Sequence, residues 1–389
     1  MATDLLVTLQ ELTALPLTNF PLLSVYFDMT PDGTGRRQAL MQLDQEFTRI
    51  AENMAGRNLE DIEIESFEAD RTRITDYINT DAPVDAAGLA IFASHGDEIW
   101  HAIPLQVPVP TRVLEAHFPH VFELARIVDD YETYAVVLAD GQEARILVIS
   151  LNQVEQAGET AAVEELKRFQ AGGWAQMLFQ RRTDNIIKAY VKDMSERLGR
   201  ITRRYGVKHI IIGGNDAIKG IVLESLTKEQ QAMLVDYVNL DINGNMQEIM
   251  AVIEPLMQQV EHDQEIDAVD TLEAQINTKG GMAVIGVTAT ALALSKGQVM
   301  QLIMLEGFQA LGRTNPVSGF LYPGLQINDP YDGTPTEDID LREAFVARAM
   351  QQAAKVQIMA AHPYLEEHEG VGALLRYRDD VVAPQQEPS

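Results

Sequence analysis

No cysteine occurs among the 389 residues. That excludes disulfides, thiolate metal sites and cysteine nucleophiles, and it fits a reducing compartment. Any catalysis falls to oxygen, nitrogen or backbone groups. No stretch approaches the ~20 consecutive apolar residues that span a bilayer. The opening residues, Met1-Ala2-Thr3-Asp4, have no basic n-region and no h-region. The expectation is a soluble cytoplasmic protein with no membrane partner. Positive charge is scarce as well, with 30 Lys and Arg against 58 Asp and Glu and a formal net charge of -28. Such a surface supports solubility and repels naked nucleic acid at long range. No DNA partner is expected, and an RNA target has to be met through a local patch.

One such patch is present. Between Lys167 and Lys208 stand eleven bases against three acids, Asp184, Asp193 and Glu196. The bases include Arg181, Arg182, Lys188, Lys192, Arg200 and Arg203. Elsewhere acids outnumber bases nearly three to one. Neutralisation of phosphates by Lys and Arg drives most non-specific nucleic-acid affinity, so the stripe is a candidate polyanion footprint. A solvated face paired with the chain's own acids is the plainer reading of the same charges. At the head of the stripe lies Gly172-Gly173-Trp174-Ala175-Gln176. Paired glycines permit positive φ and close backbone approach, and a glutamine amide can orient a water. The alternative is a helix-initiating turn with Trp174 as a packing residue.

The length predicts two or three domains of roughly 100 to 150 residues. Residues 22–29 read as a strand, 36–54 and 59–78 as helices, and 87–94 and 98–107 as strands around His95-Gly96-Asp97. This is an α+β domain ending near Asp130. Segments 133–138 and 143–151 form a hairpin through Asp140-Gly141, the strongest short-range hairpin signal. A helix is predicted over 175–205, with Ile187, Tyr190, Val191, Met194, Leu198 and Ile201 on one arc and the bases largely opposite. Strands at 207–212 and 237–240 and helices at 217–225 and 245–261 complete an α/β middle domain. The acidic stretch 261–273 reads as a boundary. Beyond it, 282–286, 288–295, 299–305, 341–352 and 356–359 read β, α, β, α, β. The proline-bearing segment 313–340 reads as a long loop, and 381–389 as a disordered tail.

Other motifs carry less. His117-Phe118-Pro119-His120 cannot present ligands at helical i,i+4 spacing because of Pro119, and the group from His362 to His368 resembles an exposed polar turn. Neither a metal nor another cofactor is expected. Gly213-Gly214-Asn215-Asp216 follows a strand but lacks the Lys-Ser/Thr of a phosphate-binding loop and the third glycine of a dinucleotide fingerprint.

Residues 134–138, Asp140-Gly141, 144–150, Gly172-Gly173, Phe179 and Arg181, then 209–214 and 236–245, follow an order that resembles the middle domain of archaeal and eukaryotic peptide-chain release factors. Residues 281–286, 291–294, 297–299 and the glycine-rich ending 370–377 resemble the C-terminal domain of the same superfamily. The likeness covers most of 131–377 and, more weakly, the first domain, and it points to Pelota-related bacterial members, including Balon-type hibernation factors. It implies an N-terminal α+β domain facing the decoding centre (1–130), a ribonuclease-H-like middle domain (131–267) and a C-terminal α/β/α domain of the kink-turn-binding ribosomal-protein type (268–380).

In that superfamily a Gly-Gly-Gln loop reaches the peptidyl-transferase centre and its glutamine positions water against the peptidyl-tRNA ester. Here Gly172 and Gly173 match, Trp174 stands at the glutamine position, and Gln176 lies two residues on. The first domain has no Asn-Ile-Lys-Ser motif, a cysteine-containing stop-codon motif is impossible, and the third domain lacks zinc ligands. The resemblance therefore implies a factor that binds the ribosomal A site, touching rRNA and P-site tRNA, in a stress, hibernation or rescue role rather than in stop-codon decoding. An elongation-type translational GTPase is the implied delivery partner. The alternative is a peptidyl-tRNA hydrolase with Gln176 as its catalytic residue, and a third reading is a non-ribosomal adaptor.

Overall fold

The computed structural model describes residues 2–31, 37–57, 60–140, 143–150, 153–161 and 174–379. It is a mixed α/β protein with several sheets. The chain divides into two compact units, one of residues 1–6 and 130–263 and one of 7–129 and 264–389.

The N-terminal elements are α1 (Ala2–Thr13), β1 (Leu22–Asp28), α2 (Arg37–Ala55), α3 (Asp61–Thr80), β2 (Gly88–Ser94), β3 (Ile99–Leu105), β4 (Arg112–Ala116) and α4 (Phe122–Asp130). The strands form an antiparallel sheet in the order β3-β2-β1-β4. Leu43, Phe47, Ile50 and Met54 of α2 and Phe67, Ile74 and Ile78 of α3 bury against Leu23, Val25, Phe27, Leu89 and Ile91. The apolar spacing of the two helices is that of a single packed stripe, and the strand residues alternate onto the matching face.

Carboxylates fasten the β2–β3 turn. Asp70, buried on α3, accepts the His95 backbone N–H at 2.7 Å, and Ser66 accepts that of Gly96 at 2.9 Å. Gly96 is required by close approach, since a Cβ there would lie 2.3 Å from the Phe20 ring. Asp97 accepts from the backbone N–H groups of Phe20 and Asn19 and from the Ser94 hydroxyl. Burial works against its ionised form, but these donors outweigh it and hold the carboxyl below its ordinary value. At Asp70 burial dominates instead, and its carboxyl is pushed up to about 6.

The middle elements are β5 (Tyr134–Ala139), β6 (Glu143–Ser150), β7 (Gln153–Ala161), α5 (Trp174–Tyr205), β8 (His209–Gly214), α6 (Asp216–Ser225), α7 (Lys228–Met233), β9 (Leu234–Val238) and α8 (Met246–Ile276). The sheet order is β7-β6-β5-β8-β9, antiparallel across the first three strands and parallel from β5 to β9. Both faces are buried, so the central strands read as continuous apolar runs. Ala135, Val137, Ile210 and Ile212 face α5 and α6, while Val136, Leu138 and Ile211 face Ile249 and Ile253 of α8.

The acidic stretch expected as a boundary contains the division between the two compact units, at Asp263 and Gln264, and lies within one continuous helix. Helix α8 runs through it to Ile276, where Ala268, Val269 and Leu272 supply a further apolar stripe that buries against Ala283, Ile303 and Leu374. The remaining elements are β10 (Ala283–Ile285), α9 (Val287–Ser295), β11 (Val299–Leu305), β12 (Leu311–Thr314), β13 (Leu321–Pro323), β14 (Glu337–Asp340), α10 (Leu341–Gln351), β15 (Lys355–Met359), α11 (Pro363–Glu366) and β16 (Val371–Leu375). Their main sheet is ordered β10-β16-β11-β15. The segment expected as a long loop contains a small antiparallel sheet, β13-β12-β14. Its strands are three or four residues long, and Pro323 sits on an edge strand where no ladder donor is needed. The tail 381–389 lies outside the described residues.

Within the second unit, N-terminal and C-terminal elements share buried polar contacts. Glu343 of α10 is 2% exposed and accepts the Phe122 backbone N–H at 2.9 Å. His120 lies 3.6 Å from the same carboxylate, and the Arg342 guanidinium stacks 4.5 Å from the Phe122 ring. Tyr26 donates its hydroxyl to the His120 carbonyl, and burial together with the Glu343 charge raises its pKa well above the ordinary value. Asp129 accepts the Ile358 N–H of edge strand β15 at 2.7 Å.

Two expectations follow. Glu343→Ala leaves a buried N–H unpaired and should cost about 2 to 4 kcal/mol in urea unfolding; a loss under about 0.5 kcal/mol would contradict this role. The native Asp70 carboxyl binds its proton more tightly than the unfolded one does. Its contribution is therefore present below the unfolded value near 4 and is lost as pH rises through about 6. Asp70→Asn keeps an acceptor for His95 and should flatten stability between those two pH values.

Candidate functional site

Helix α5 is the element on which the basic stripe lies. One arc of it is committed to the sheet: Tyr190, Val191, Met194, Leu198 and Ile201 are buried and Ile187 is partly covered. Tyr190 also donates its hydroxyl to the carbonyl of Asp140, just beyond β5. Burial and the nearby Asp140 raise its pKa, so the phenol stays a donor. A second tie comes from Gln230 on α7, which is 3% exposed. It donates to the Ser195 carbonyl at 2.8 Å and accepts from the Ser195 hydroxyl at 2.8 Å and the Thr227 N–H at 2.9 Å. These contacts fix the rotation of α5 about its own axis.

With that rotation fixed, the polar arc faces solvent. Lys188, Lys192, Arg200 and Arg203 are exposed, as are Arg204 and Lys208. Among the described residues no ion pair engages Lys188, Lys192, Arg200 or Arg203. Arg197 differs, since it pairs with Asp193 at 2.8 Å one turn earlier on the helix. Arg204 lies 5.2 Å from the Tyr205 ring. The stripe is thus a row of free cations over about four helical turns, spaced closely enough to meet successive phosphates.

The other predicted site residues divide by position. Trp174, Ala175 and Gln176 form the first turn of α5, so helix geometry begins two residues before Gln176. Arg181 and Arg182 lie further along the same helix backbone, and the side chains of 174–186 are outside the described residues. Gly172 and Gly173 lie outside them too. The sequence reading missed Ser195, Gln230 and the Tyr190–Asp140 contact. Only Thr227-Lys228-Glu229-Gln230, a capping-box pattern, signalled any of them.

The histidine groups are occupied structurally. His362 caps α11 through its ring, His368 contacts the Tyr364 carbonyl at 2.7 Å, and His117 contacts the Thr18 carbonyl at 3.0 Å. Among the described residues no group of three His, Asp or Glu side chains is arranged to hold a metal. No described helix is long and apolar enough to cross a membrane. The turn after β8 serves packing: Asn215 caps α6 through its side chain, and its carbonyl accepts the Tyr237 hydroxyl at 2.7 Å.

Residues 119–261, which contain the five-stranded sheet and α5, match the model of bacterial archaeo-eukaryotic release factor family 10. That match ties this segment, rather than the whole chain, to the bacterial archaeo-eukaryotic release factors. Among solved structures it is similar to Saccharomyces cerevisiae Dom34, a translation termination-like factor, at 12% identity and a TM-score of 0.43, covering 76% of this chain and 83% of that one. It is similar to Thermoplasma acidophilum Pelota at 16% identity and a TM-score of 0.27, covering 75% and 80%. An archaeal translation termination factor aligns over 97% of both chains at 17% identity and a TM-score of 0.25. No curated protein sequence matches. The superfamily match falls on the very segment that carries the basic stripe.

Proposed function

We propose that this chain is a ribosome-associated factor of the release and rescue type that enters the A site. The observation that carries the reading is the coincidence of the release-factor family match over 119–261 with a row of exposed, unpaired cations at Lys188, Lys192, Arg200 and Arg203. A protein of net charge -28 that served only solubility would have no reason to leave these unneutralised. The middle sheet, three antiparallel strands followed by two parallel ones, supports a ribonuclease-H-like reading of 131–267, flanked by an N-terminal domain facing the decoding centre and a kink-turn-type C-terminal domain. In this reading the α5 stripe, with Arg181 and Arg182, lies along rRNA or tRNA phosphates. The segment Gly172 to Gln176 then points to the peptidyl-transferase centre.

Trp174 at the position of the hydrolytic glutamine favours occupancy over ester cleavage. A bulky indole cannot orient a water as an amide does. The factor therefore holds ribosomes in a stress or hibernation state, brought there by a translational GTPase of the elongation type. Gln176 is the one residue left to hydrolyse peptidyl-tRNA if the factor is a rescue enzyme.

The test reverses charge at Arg181, Lys188 and Lys192 together. Co-sedimentation with 70S ribosomes should weaken, and the slope of log affinity against log salt should fall by about 2 to 3, one increment per lost phosphate contact. Circular dichroism should be unchanged, because no described partner is lost at Lys188 or Lys192. Undiminished co-sedimentation would remove the stripe from the interface. Full retention of any ester cleavage in Gln176→Ala would remove Gln176 from catalysis.

A further inference from the structure

A second feature lies on the N-terminal sheet, between α3 and β3. The last turns of α3 and strand β3 border an open groove of about 680 Å³. Its floor is aromatic: the Trp100 indole meets the Tyr77 ring edge-on, with centroids 5.7 Å apart. Its rim is acidic, formed by Glu68, Asp76 and Asp81, all exposed. One cation, Arg73, projects into it and places its guanidinium 3.9 Å from the Trp100 ring centroid.

The environment of Arg73 shows what this seat accepts. Among the described residues Arg73 makes no ion pair, although three carboxylates line the same groove. Its partner is the indole face, at a distance where cation–π attraction is strong. Arg73 is itself an exposed side chain on a solvent-facing helix position, so it can leave the ring without disturbing the core. Three acids against one base leave the lining net negative. A planar cation is attracted by both the ring and the rim, whereas a phosphate is repelled by the rim.

We propose that the α3–β3 groove is a docking slot for an arginine-bearing segment of a basic polypeptide. The guanidinium of that segment takes the Trp100 seat now filled by Arg73, and Asp76 and Asp81 pair with flanking bases. Arginine suits this better than lysine because its planar group stacks on the ring while its edge N–H groups still donate to carboxylates. The inference does not depend on ribosome binding, since the slot and the α5 stripe share no residue.

The chain has two tryptophans, so Trp174→Phe leaves Trp100 as sole reporter. Its emission should change saturably on titration with a short arginine-rich peptide and not with a glutamate-rich peptide of the same length. Adding Asp76→Asn and Asp81→Asn should raise the midpoint about fivefold, the effect of removing two exposed charge pairs. The charge-matched control Glu224→Gln with Glu229→Gln should leave it in place. Arg73→Ala should lower the midpoint by vacating the seat. The proposal is overturned by an unsaturable or absent response, by an equal shift in the control variant, or by a single-stranded RNA oligomer that acts at lower concentration than the peptide. Circular dichroism of each variant separates these outcomes from misfolding.

Discussion

The middle sheet buries both of its faces, and most of the functional architecture follows from that constraint. A strand such as β5 sends Ala135 and Val137 to one side and Val136 and Leu138 to the other, so helices must cover both. Helix α5 spends a single apolar arc on this task. Tyr190, hydrogen-bonded to Asp140, and Ser195, held by Gln230, lock the arc in place. Lys188, Lys192, Arg200 and Arg203 lie off that arc, exposed and, among the described residues, without an ion pair. The cationic row is a consequence of where the hydrophobic stripe ends.

The second unit shows what the abundant carboxylates are for. Several do structural work by accepting backbone N–H groups that have no ladder partner: Asp97 for Asn19 and Phe20, Asp70 for His95, Glu343 for Phe122 and Asp129 for Ile358. A carboxylate acceptor makes a stronger bond than a neutral one, but it exacts desolvation when buried. Asp97 and Asp70 mark the two outcomes. Asp97 collects enough donors to stay readily ionised, whereas Asp70 is dominated by burial and holds its proton to about pH 6. Part of the acidity of the chain is thus committed to loops and helix ends.

Much of this was readable from the sequence where one periodicity dominated. The helical spacing of α2 and α3, the apolar runs of β5 and β8, and the separation of apolar and basic arcs on α5 all rest on local pattern. Reading failed where local signals conflicted with tertiary ones. The acidic residues from Glu261 to Glu273 marked where the two compact units divide but hid the continuity of α8, because Val269 and Leu272 continue an apolar stripe that only their sheet explains. Prolines between 313 and 340 suggested a loop, because strands of three or four residues are too short to establish alternation. The Glu343 contacts, formed with residues more than two hundred positions away, left no trace in spacing. At the candidate site the cations were legible as a cluster, while their freedom from partners was a property of three-dimensional packing alone.

The central claim is that this protein binds the ribosome through its middle domain. It is tested most directly by incubating the wild-type chain with vacant 70S ribosomes and with ribosomes carrying labelled P-site peptidyl-tRNA, and measuring co-sedimentation and ester cleavage in the same tubes. Salt-sensitive binding without cleavage is the expected result. Absence of binding to either ribosome would contradict the account.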